Sequence, residues 1–415
     1  MTQNVKLAVL FGVLVINIFG IGLMMPVIPQ LIRELTGGDI GNAAYIYGFL
    51  LAGYALMQFL FGPLLGALSD RYGRRPILIW CMLGLGVDYV VLAFAPTLWL
   101  VFVARLVGGM MSASITTASA YVADITPPEK RAQSYGITGA AFGIGFIGGP
   151  VVGGLLGEYG PRVPFFAAAA VSLLAVAFTY FLLPESLAAE NRRKFRLREA
   201  NPIGAFLLVG KYPAVVALLA VFALSQFAER MLESTWVLYA DYRFGWSSAQ
   251  IGLSFAWIGL LVVITQGVLV RLVVPRIGEW RTLVNGLVVA AICMFAIAFI
   301  TDGWLLYLVI VPYVLAWGLC GPAGQGIVTK AVPANEQGSL QGAITAAGTL
   351  MGIIAPPLSG ALFGYFISDA APVALPGIPF LVGSALFLIG LVVAIGPMRR
   401  DRVLRRAARE RGTLA

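Results

Sequence analysis

Gly66-Ala67-Leu68-Ser69-Asp70-Arg71-Tyr72-Gly73-Arg74-Arg75 places a short charged turn between two long apolar runs. The run before it ends near Leu68, and the next begins at Pro76. Three arginines and an aspartate on so short a connection cannot lie in hydrocarbon, so both flanking segments must end in water on one side of a membrane. An ordinary positively charged loop accounts for the arginines but not for the Gly66, Asp70 and Gly73 framework.

The rest of the chain agrees with a membrane solvent. Apolar residues make up 60% of the 415 positions and charged residues 11%, against about 25% charged in soluble domains. No soluble fold of this size could hide that much apolar surface. A helical span needs about 20 apolar residues, and twelve segments qualify, at roughly residues 7–29, 44–68, 76–95, 98–122, 134–157, 164–183, 213–239, 249–273, 282–301, 304–328, 339–366 and 378–397. The expected fold is therefore all-α, a polytopic membrane protein of twelve transmembrane helices. The first segment has no small-residue cleavage site and runs into Pro26-Val27-Ile28-Pro29, so it reads as a span and not a signal peptide.

Charge placement sets the expected orientation. Of 28 Lys and Arg, only Arg33, Arg162 and Arg243 fall on odd-numbered connections, while Arg105 and Arg230 fall inside spans. The others lie at Lys6, on or beside even-numbered connections, or after the last span. The positive-inside bias then puts both termini in the cytoplasm of a multi-pass protein of the cell (inner) membrane. The net charge of +9 follows from this bias and from the tail between Arg399 and Arg411, with no nucleic acid needed. That tail is either a solvated stop-transfer segment or a contact for anionic headgroups. Cys81, Cys293 and Cys320 are far apart in apolar segments and read as packing residues, neither a disulfide nor a metal set. With no histidine in the chain, histidine proton relays, His-ligated metals and Ser-His or Cys-His catalysis are excluded.

The stretch from Pro184 to Pro213 is the one long polar connection, and it carries Arg192, Arg193, Lys194, Arg196 and Arg198. It divides the chain into an N-terminal six-helix bundle (1–184), a cytoplasmic linker (185–212), a C-terminal six-helix bundle (213–398) and a basic tail (399–415). Internal repetition supports the division. Gly149-Pro150-Val151-Val152-Gly153-Gly154 recurs as Ala355-Pro356-Pro357-Leu358-Ser359-Gly360, and Arg71-Tyr72-Gly73-Arg74-Arg75 has a weaker echo in Arg276-Ile277-Gly278-Glu279-Trp280-Arg281. Pro150 and Pro356 are 206 residues apart and Arg71 and Arg276 are 205 apart, so one shift relates both pairs.

The decapeptide resembles the loop signature of the major facilitator superfamily, Gly-x-Leu-x-Asp-Arg-x-Gly-Arg-Arg, at all of its defined positions: Gly66, Leu68, Asp70, Arg71, Gly73, Arg74 and Arg75. Two six-helix repeats with a site between them are the arrangement of that class. Gly145-Phe146-Ile147-Gly148-Gly149-Pro150-Val151-Val152-Gly153-Gly154 is similar to the fifth-span signature of its drug/proton antiporters. Physically, glycines at helical spacing let backbones approach, and a proline without an N–H kinks the helix; a generic tightly packed helix is the alternative. Gly20-Ile21-Gly22 before Met25-Pro26, Val87-Asp88-Tyr89, Ala123-Asp124 before Arg131, and Glu336-Gln337-Gly338-Ser339-Leu340-Gln341-Gly342 resemble the tetracycline efflux branch. The resemblance implies export of a drug-like molecule in exchange for protons. It breaks where that branch has acids for a magnesium-chelated substrate and for protons: this chain has Asn17 and Ala290 there, and only Asp88 remains. Tetracycline itself is thereby placed in doubt, while the fold is not.

Ionisable groups inside spans cost at least about 2.5 kcal/mol each and mark candidate sites. Asp88 is either a proton or substrate-cation site or a polar residue facing a watery vestibule. Arg105 keeps its charge and must find a carboxylate or helix-end carbonyls; the resemblance implies a part in proton transfer, and an interhelix anchor is the alternative. Gln226, Glu229, Arg230 and Glu233 fall close together in span seven. Glu229 and Glu233 are four apart and share a face that Gln226 extends, with Arg230 about 100° around. This cluster could replace the acids missing at positions 17 and 290, one glutamate taking the proton and the other a cationic cargo. Alternatively, Arg230 neutralises one glutamate in the wet outer half of the span. Asp70, Arg71 and Asp124 lie at the cytoplasmic ends of spans two to four, and Asp70 could dock at the amino end of span eleven around Gly338–Gly342 as a conformational clamp. Tyr89, Phe227 and Trp257 could line an apolar cavity.

The expected function is a proton-coupled secondary transporter working by alternating access, most simply an antiporter exporting a drug-like or amphipathic molecule. It would act as a monomer, driven by the proton gradient, with no cofactor and no metal. The alternatives on the same fold are a proton symporter and an exporter of an endogenous metabolite or lipid. An uncoupled facilitator is disfavoured by Asp88, Glu229 and Glu233. A lipid enzyme lacks a Gly-x-Ser-x-Gly elbow and metal-spaced acids, and no phosphate-binding loop supports ATP drive.

Overall fold

The computed structural model describes residues 3–112, 114–127, 131–188, 190, 192, 213–333 and 337–410, and no strand occurs among them. Their helices are α1 (Gln3–Met24), α2 (Ile28–Leu35), α3 (Ile40–Tyr72), α4 (Arg74–Phe94), α5 (Leu98–Met110), α6 (Ser114–Ile125), α7 (Arg131–Gly157), α8 (Val163–Leu182), α9 (Pro213–Phe244), α10 (Ser248–Ile264), α11 (Val270–Ile277), α12 (Glu279–Phe299), α13 (Gly303–Lys330), α14 (Gln337–Phe366) and α15 (Ile378–Glu410). Among the described residues, eleven helical stretches are long and apolar enough to cross a membrane. The fourth expected span is instead divided into α5 and α6. The break follows Gly108-Gly109, where the Ser112 hydroxyl donates to the Gly109 carbonyl at 2.7 Å and competes with the helix ladder.

Other departures from the expected segments have local causes. The first connection folds a short helix, α2, that opens at Pro29 in its first turn, where the missing N–H costs nothing. The eighth span passes through a π turn at Thr265–Leu269 before α11. There the Thr265 hydroxyl donates to the Leu261 carbonyl at 2.7 Å. The last helix does not stop near residue 397 but runs to Glu410, because the tail's Arg, Leu, Ala and Glu are strong helix formers. Arg193, Lys194, Arg196 and Arg198 of the linker, Glu336, and the tail beyond residue 410 lie outside the described residues.

Packing groups the chain into two compact units. One comprises Met1–Asn201, Ser234–Leu260 and Pro356–Ala374; the other comprises Pro202–Glu233, Leu261–Ala355 and Leu375–Ala415. In the first, Leu10, Val13, Leu14, Leu78, Met82 and Tyr121 are among the side chains of a closed apolar core. Trp80, Phe94, Trp99, Phe181, Ile292 and Val392 are more than half exposed. Bulky apolar groups uncovered by protein are what a hydrocarbon solvent accepts and water does not.

The glycine run of α7 is divided between two neighbours in the first unit. Gly145, Gly149 and Gly153, four residues apart in turn, face α1. A Cβ on Gly145 would stand 2.8 Å from Ile18 Cβ, one on Gly149 would stand 2.7 Å from the Phe19 carbonyl oxygen, and one on Gly153 would enter the backbone of Leu23. Gly154 turns instead to the backbone of Ser248, and the Pro150 carbonyl lies against Gly252, both on α10. A matching contact joins α3 and α14, where a Cβ on Gly48 would stand 2.5 Å from the Pro356 carbonyl oxygen and Gly360 lies on Ala44. The internal repeat therefore places Pro150 and Pro356 in equivalent glycine contacts. It also places Gly73 and Gly278 in equivalent turns, with φ of 107° and 87°, values that an L side chain rarely adopts.

The α1–α7 contact generates a stability prediction. Gly153→Ala should destabilise by about 1–3 kcal/mol through overpacking, lowering the midpoint of thermal unfolding in detergent. Gly139→Ala on the same helix, with nothing within 4 Å of the added methyl, should leave the midpoint in place.

Candidate functional site

The charges expected inside spans fall into two groups, one in each unit. In the first unit, α4 carries Asp88 and α5 carries Arg105; these are 1% and 7% exposed and form an ion pair. Gly108, one turn beyond Arg105, makes the approach possible. A Cβ there would lie 2.8 Å from an Asp88 carboxylate oxygen and 3.2 Å from an Arg105 guanidinium nitrogen. The guanidinium also lies over the Tyr54 ring, 5.5 Å from its centroid, a cation–π contact that offsets desolvation. Asn17 is 3% exposed and donates through Nδ2 to Ser114 Oγ at 3.1 Å. Its amide is thus absorbed by a neutral hydrogen bond. The hydroxyl of Tyr89, beside Asp88 in sequence, is buried with no hydrogen-bond partner among the described residues.

In the second unit, α9 presents Gln226, Glu229, Arg230 and Glu233. Arg230 reaches one turn ahead and donates to Glu233 at 2.6 Å. Glu229 is half-buried beside Arg230 in sequence and takes no part in that ion pair. Tyr313, one turn before Trp317, has a buried hydroxyl without a hydrogen-bond partner among the described residues. Ala290 on α12 is fully buried, so no acid stands there.

Next to this cluster lies an open cavity of about 770 Å³ of non-atom space, its mouth and open solvent included. Phe222, Ser225 and Gln226 of α9 line it with Gln266 of the π turn and Trp317 and Gln325 of α13. The Gln266 amide is anchored by donating to the Gly318 carbonyl at 3.2 Å. Gly348 of α14 leaves room at this wall, its absent Cβ lying 3.6 Å from Gln226 Nε2 and 3.8 Å from the Phe222 ring. None of Tyr89, Phe227 and Trp257 lines this cavity. Tyr89 is consumed by packing in the other unit, where it is 1% exposed.

The decapeptide supplies a third cluster, in the first unit, with Arg74 at its hub. Its guanidinium meets Asp70 at 2.5 Å, Asp124 at 3.0 Å and Ser69 Oγ at 2.6 Å. Ser69 donates in turn to the Gly66 carbonyl at 2.7 Å. Sequence reasoning missed Glu185, which follows α8. Its carboxylate accepts from the backbone N–H of Arg74 at 2.8 Å and of Arg75 at 3.2 Å, capping the positive end of α4. Gly73 admits it, because a side chain there would strike that carboxylate. Ser186 donates to Asp124 at 2.9 Å, and Tyr121 donates to the Pro184 carbonyl at 2.7 Å. Arg75 donates to the Tyr180 carbonyl, and Arg71 stands over the Tyr72 ring. The Pro184-Glu185-Ser186 run after an apolar segment was the available signal. At the opposite end of the first unit's helices, Arg33 pairs with Asp241 at 2.6 Å, and Gln30 accepts from Ser248 at 2.7 Å.

These features, a polytopic helical protein with paired charges in its spans and a cavity lined by apolar and amide side chains, define a membrane transporter. Residues 10–356 match the family model of the Major Facilitator Superfamily, and the chain belongs to that family. It is a transporter and not an enzyme. It is 38% identical over 392 residues to the class C tetracycline resistance protein of Escherichia coli, covering 94% of this chain and 96% of the relative. It is 30% identical to multidrug resistance protein 2 of Bacillus subtilis (strain 168), covering 92% and 93%. Among solved structures, the nucleoside transporter NupG superposes with a TM-score of 0.77 at 15% identity, covering 95% of this chain and 99% of that one; at that identity the likeness concerns the fold.

A buried ion pair is broken at greater cost than it is replaced, about 3–5 kcal/mol when one partner alone is lost. Asp88→Asn and Arg105→Gln should each lower the thermal midpoint clearly. The double variant Asp88→Asn/Arg105→Gln should recover much of the loss. A double variant no more stable than the worse single would show that the two charges are not paired.

Proposed function

We propose that this protein exports a drug-like small molecule across the plasma membrane in exchange for protons, by alternating access between two six-helix halves joined at the 185–212 linker, with both termini in the cytoplasm. The observation that carries this reading is the match along nearly the whole chain to curated tetracycline and multidrug resistance proteins. The sites support it. Glu229 is an intramembrane acid that takes no part in the Arg230–Glu233 ion pair, which leaves it available to exchange a proton. Asp88 is held by Arg105 and organises the first unit. The Arg74 cluster with Asp70, Asp124 and Glu185 acts as the conformational clamp at the basic end. The chain works as a monomer on the proton gradient alone.

Cargo follows from the acids. Asn17 is engaged by Ser114, Ala290 has no polar atom to offer, and Glu233 is neutralised by Arg230. The reading therefore favours an amphipathic organic molecule over a chelated divalent cation.

The test uses the full chain in liposomes with a trapped pH dye and a drug panel that includes tetracycline. Substrate-triggered proton movement is expected from the wild type. Glu229→Gln should abolish it, at least about tenfold, as loss of a coupling acid demands. Silence across the panel from folded protein, or undiminished proton movement in Glu229→Gln, overturns the assignment.

A further inference from the structure

Two helices of the second unit, α12 and α15, pack in a register that two contacts fix. The Ser384 hydroxyl donates to the Ala291 carbonyl at 2.8 Å, and a Cβ on Gly377 would enter the Ala298 carbonyl. A step forward along α15 from 377 to 384 answers an equal step back along α12 from 298 to 291, so the pair is antiparallel. Carried on, this register sets Arg281 level with position 394 and puts Arg399 beyond that level, by about 7 Å along the axis.

Each helix also has a stripe that no protein covers. On α12, Arg281, Asn285, Ile292, Phe295 and Phe299 recur at helical spacing and are exposed; on α15, Leu388, Val392, Gly396 and Arg399 do the same. Both stripes are centred about a quarter turn past the contact positions, since exposed Ile292 follows Ala291, and exposed Ala385 follows Ser384, by about 100° each. In an antiparallel pair, equal rotations along each chain turn both stripes to the same side of the seam. Each stripe is apolar through the span and carries an arginine at the same end, the end that the charge bias assigns to the cytoplasm. Among the described residues, neither arginine has a carboxylate partner; Glu279, close to Arg281 in sequence, is held by Lys330 at 2.7 Å. The helix α15 continues to Glu410, and its period returns positions 402 and 406, both arginine, to the stripe of Arg399.

We propose that this seam binds an anionic phospholipid, with the phosphate between Arg281 and Arg399 and the acyl chains along the two apolar stripes. The inference concerns the lipid around the protein and is independent of cargo and coupling. An uncovered arginine at the end of an apolar stripe needs an anion, and a lipid brings one with apolar chains attached. Guanidinium forks take phosphate oxygens two at a time, and packed helix axes about 8–10 Å apart let two forks close on one group. A zwitterionic headgroup would bring its own cation to arginines that are already uncompensated, so the net anionic lipid is favoured. A soluble phosphate would occupy the arginines and leave Ile292 and Val392 uncovered.

Native mass spectrometry of the purified full chain, in detergent with equal phosphatidylglycerol and phosphatidylcholine, tests this. Wild type should retain phosphatidylglycerol at least about tenfold in preference, each arginine near the headgroup being worth about fivefold. Arg281→Gln and Arg399→Gln should each cut that preference by about fivefold, and the double variant should bring it near parity. Arg192→Gln/Arg193→Gln removes the same charge from the linker and should leave the preference in place. Millimolar glycerol 1-phosphate should not displace the retained lipid.

Parity between the two lipids in wild type overturns the site and leaves an ordinary lipid annulus. An equal loss in the linker variant overturns it in favour of net charge alone, and displacement by glycerol phosphate in favour of a soluble anion. Undiminished preference in both single variants overturns the assignment of the arginines, whether or not the double variant folds. Drug-driven proton movement in liposomes would survive each of these outcomes, so the transport reading stands or falls separately.

Discussion

A charge inside hydrocarbon has to be matched by another group, and most of the polar architecture follows from that constraint. Asp88 and Arg105 satisfy each other across α4 and α5, and Gly108 exists in a form that lets them meet. Arg230 satisfies Glu233 within one helix. Glu229, next to Arg230 in sequence, stands outside that pair. The same logic governs the basic turn, where the water boundary lowers the cost and a network forms: Arg74 is shared among Asp70, Asp124 and Ser69. Charges matched in ion pairs hold structure, and Glu229 stands outside such a pair. That difference separates anchors from the acid assigned to coupling.

The backbone obeys a parallel rule. Helices that must pack without a hydrophobic driving force gain from close approach. Glycines supply it on two faces of α7 and again where α3 meets α14. The prolines at 150 and 356 serve these contacts with their carbonyls, which lie on Gly252 and Gly48. Repetition in sequence thus corresponds to repetition of a contact type.

Much of this was legible beforehand because its causes are local. Apolar length, the placement of arginines and the glycine spacing each have a one-dimensional signature, so the helical membrane fold and the family could be read directly. Asp88, Arg105 and Glu229 stood out because ionisable groups in apolar runs always do. Their partners did not. Arg105 was expected to need a carboxylate or helix-end carbonyls, yet nothing in the spacing from 88 to 105 says that the two side chains meet. Glu185 resembles the first residue of a solvated linker until its carboxylate is seen at the start of α4. The division of the fourth span and the π turn escaped for another reason: hydropathy is blind to a serine or threonine hydroxyl that competes for a backbone carbonyl.

The glycine contacts also bear on how such a protein can change under selection. A surface built from absent side chains has nothing to trim, and every substitution adds atoms where backbone already stands. The glutamine-lined cavity has the opposite property, since amides of one size can be exchanged for other groups without moving a helix, and Gly348 leaves spare room beside Gln226. Mutational drift toward new drugs should therefore accumulate on the cavity wall and spare the α1–α7 seam. The breadth of a resistance spectrum would then be a property of a few side chains in one unit, evolving on a scaffold that stays nearly invariant.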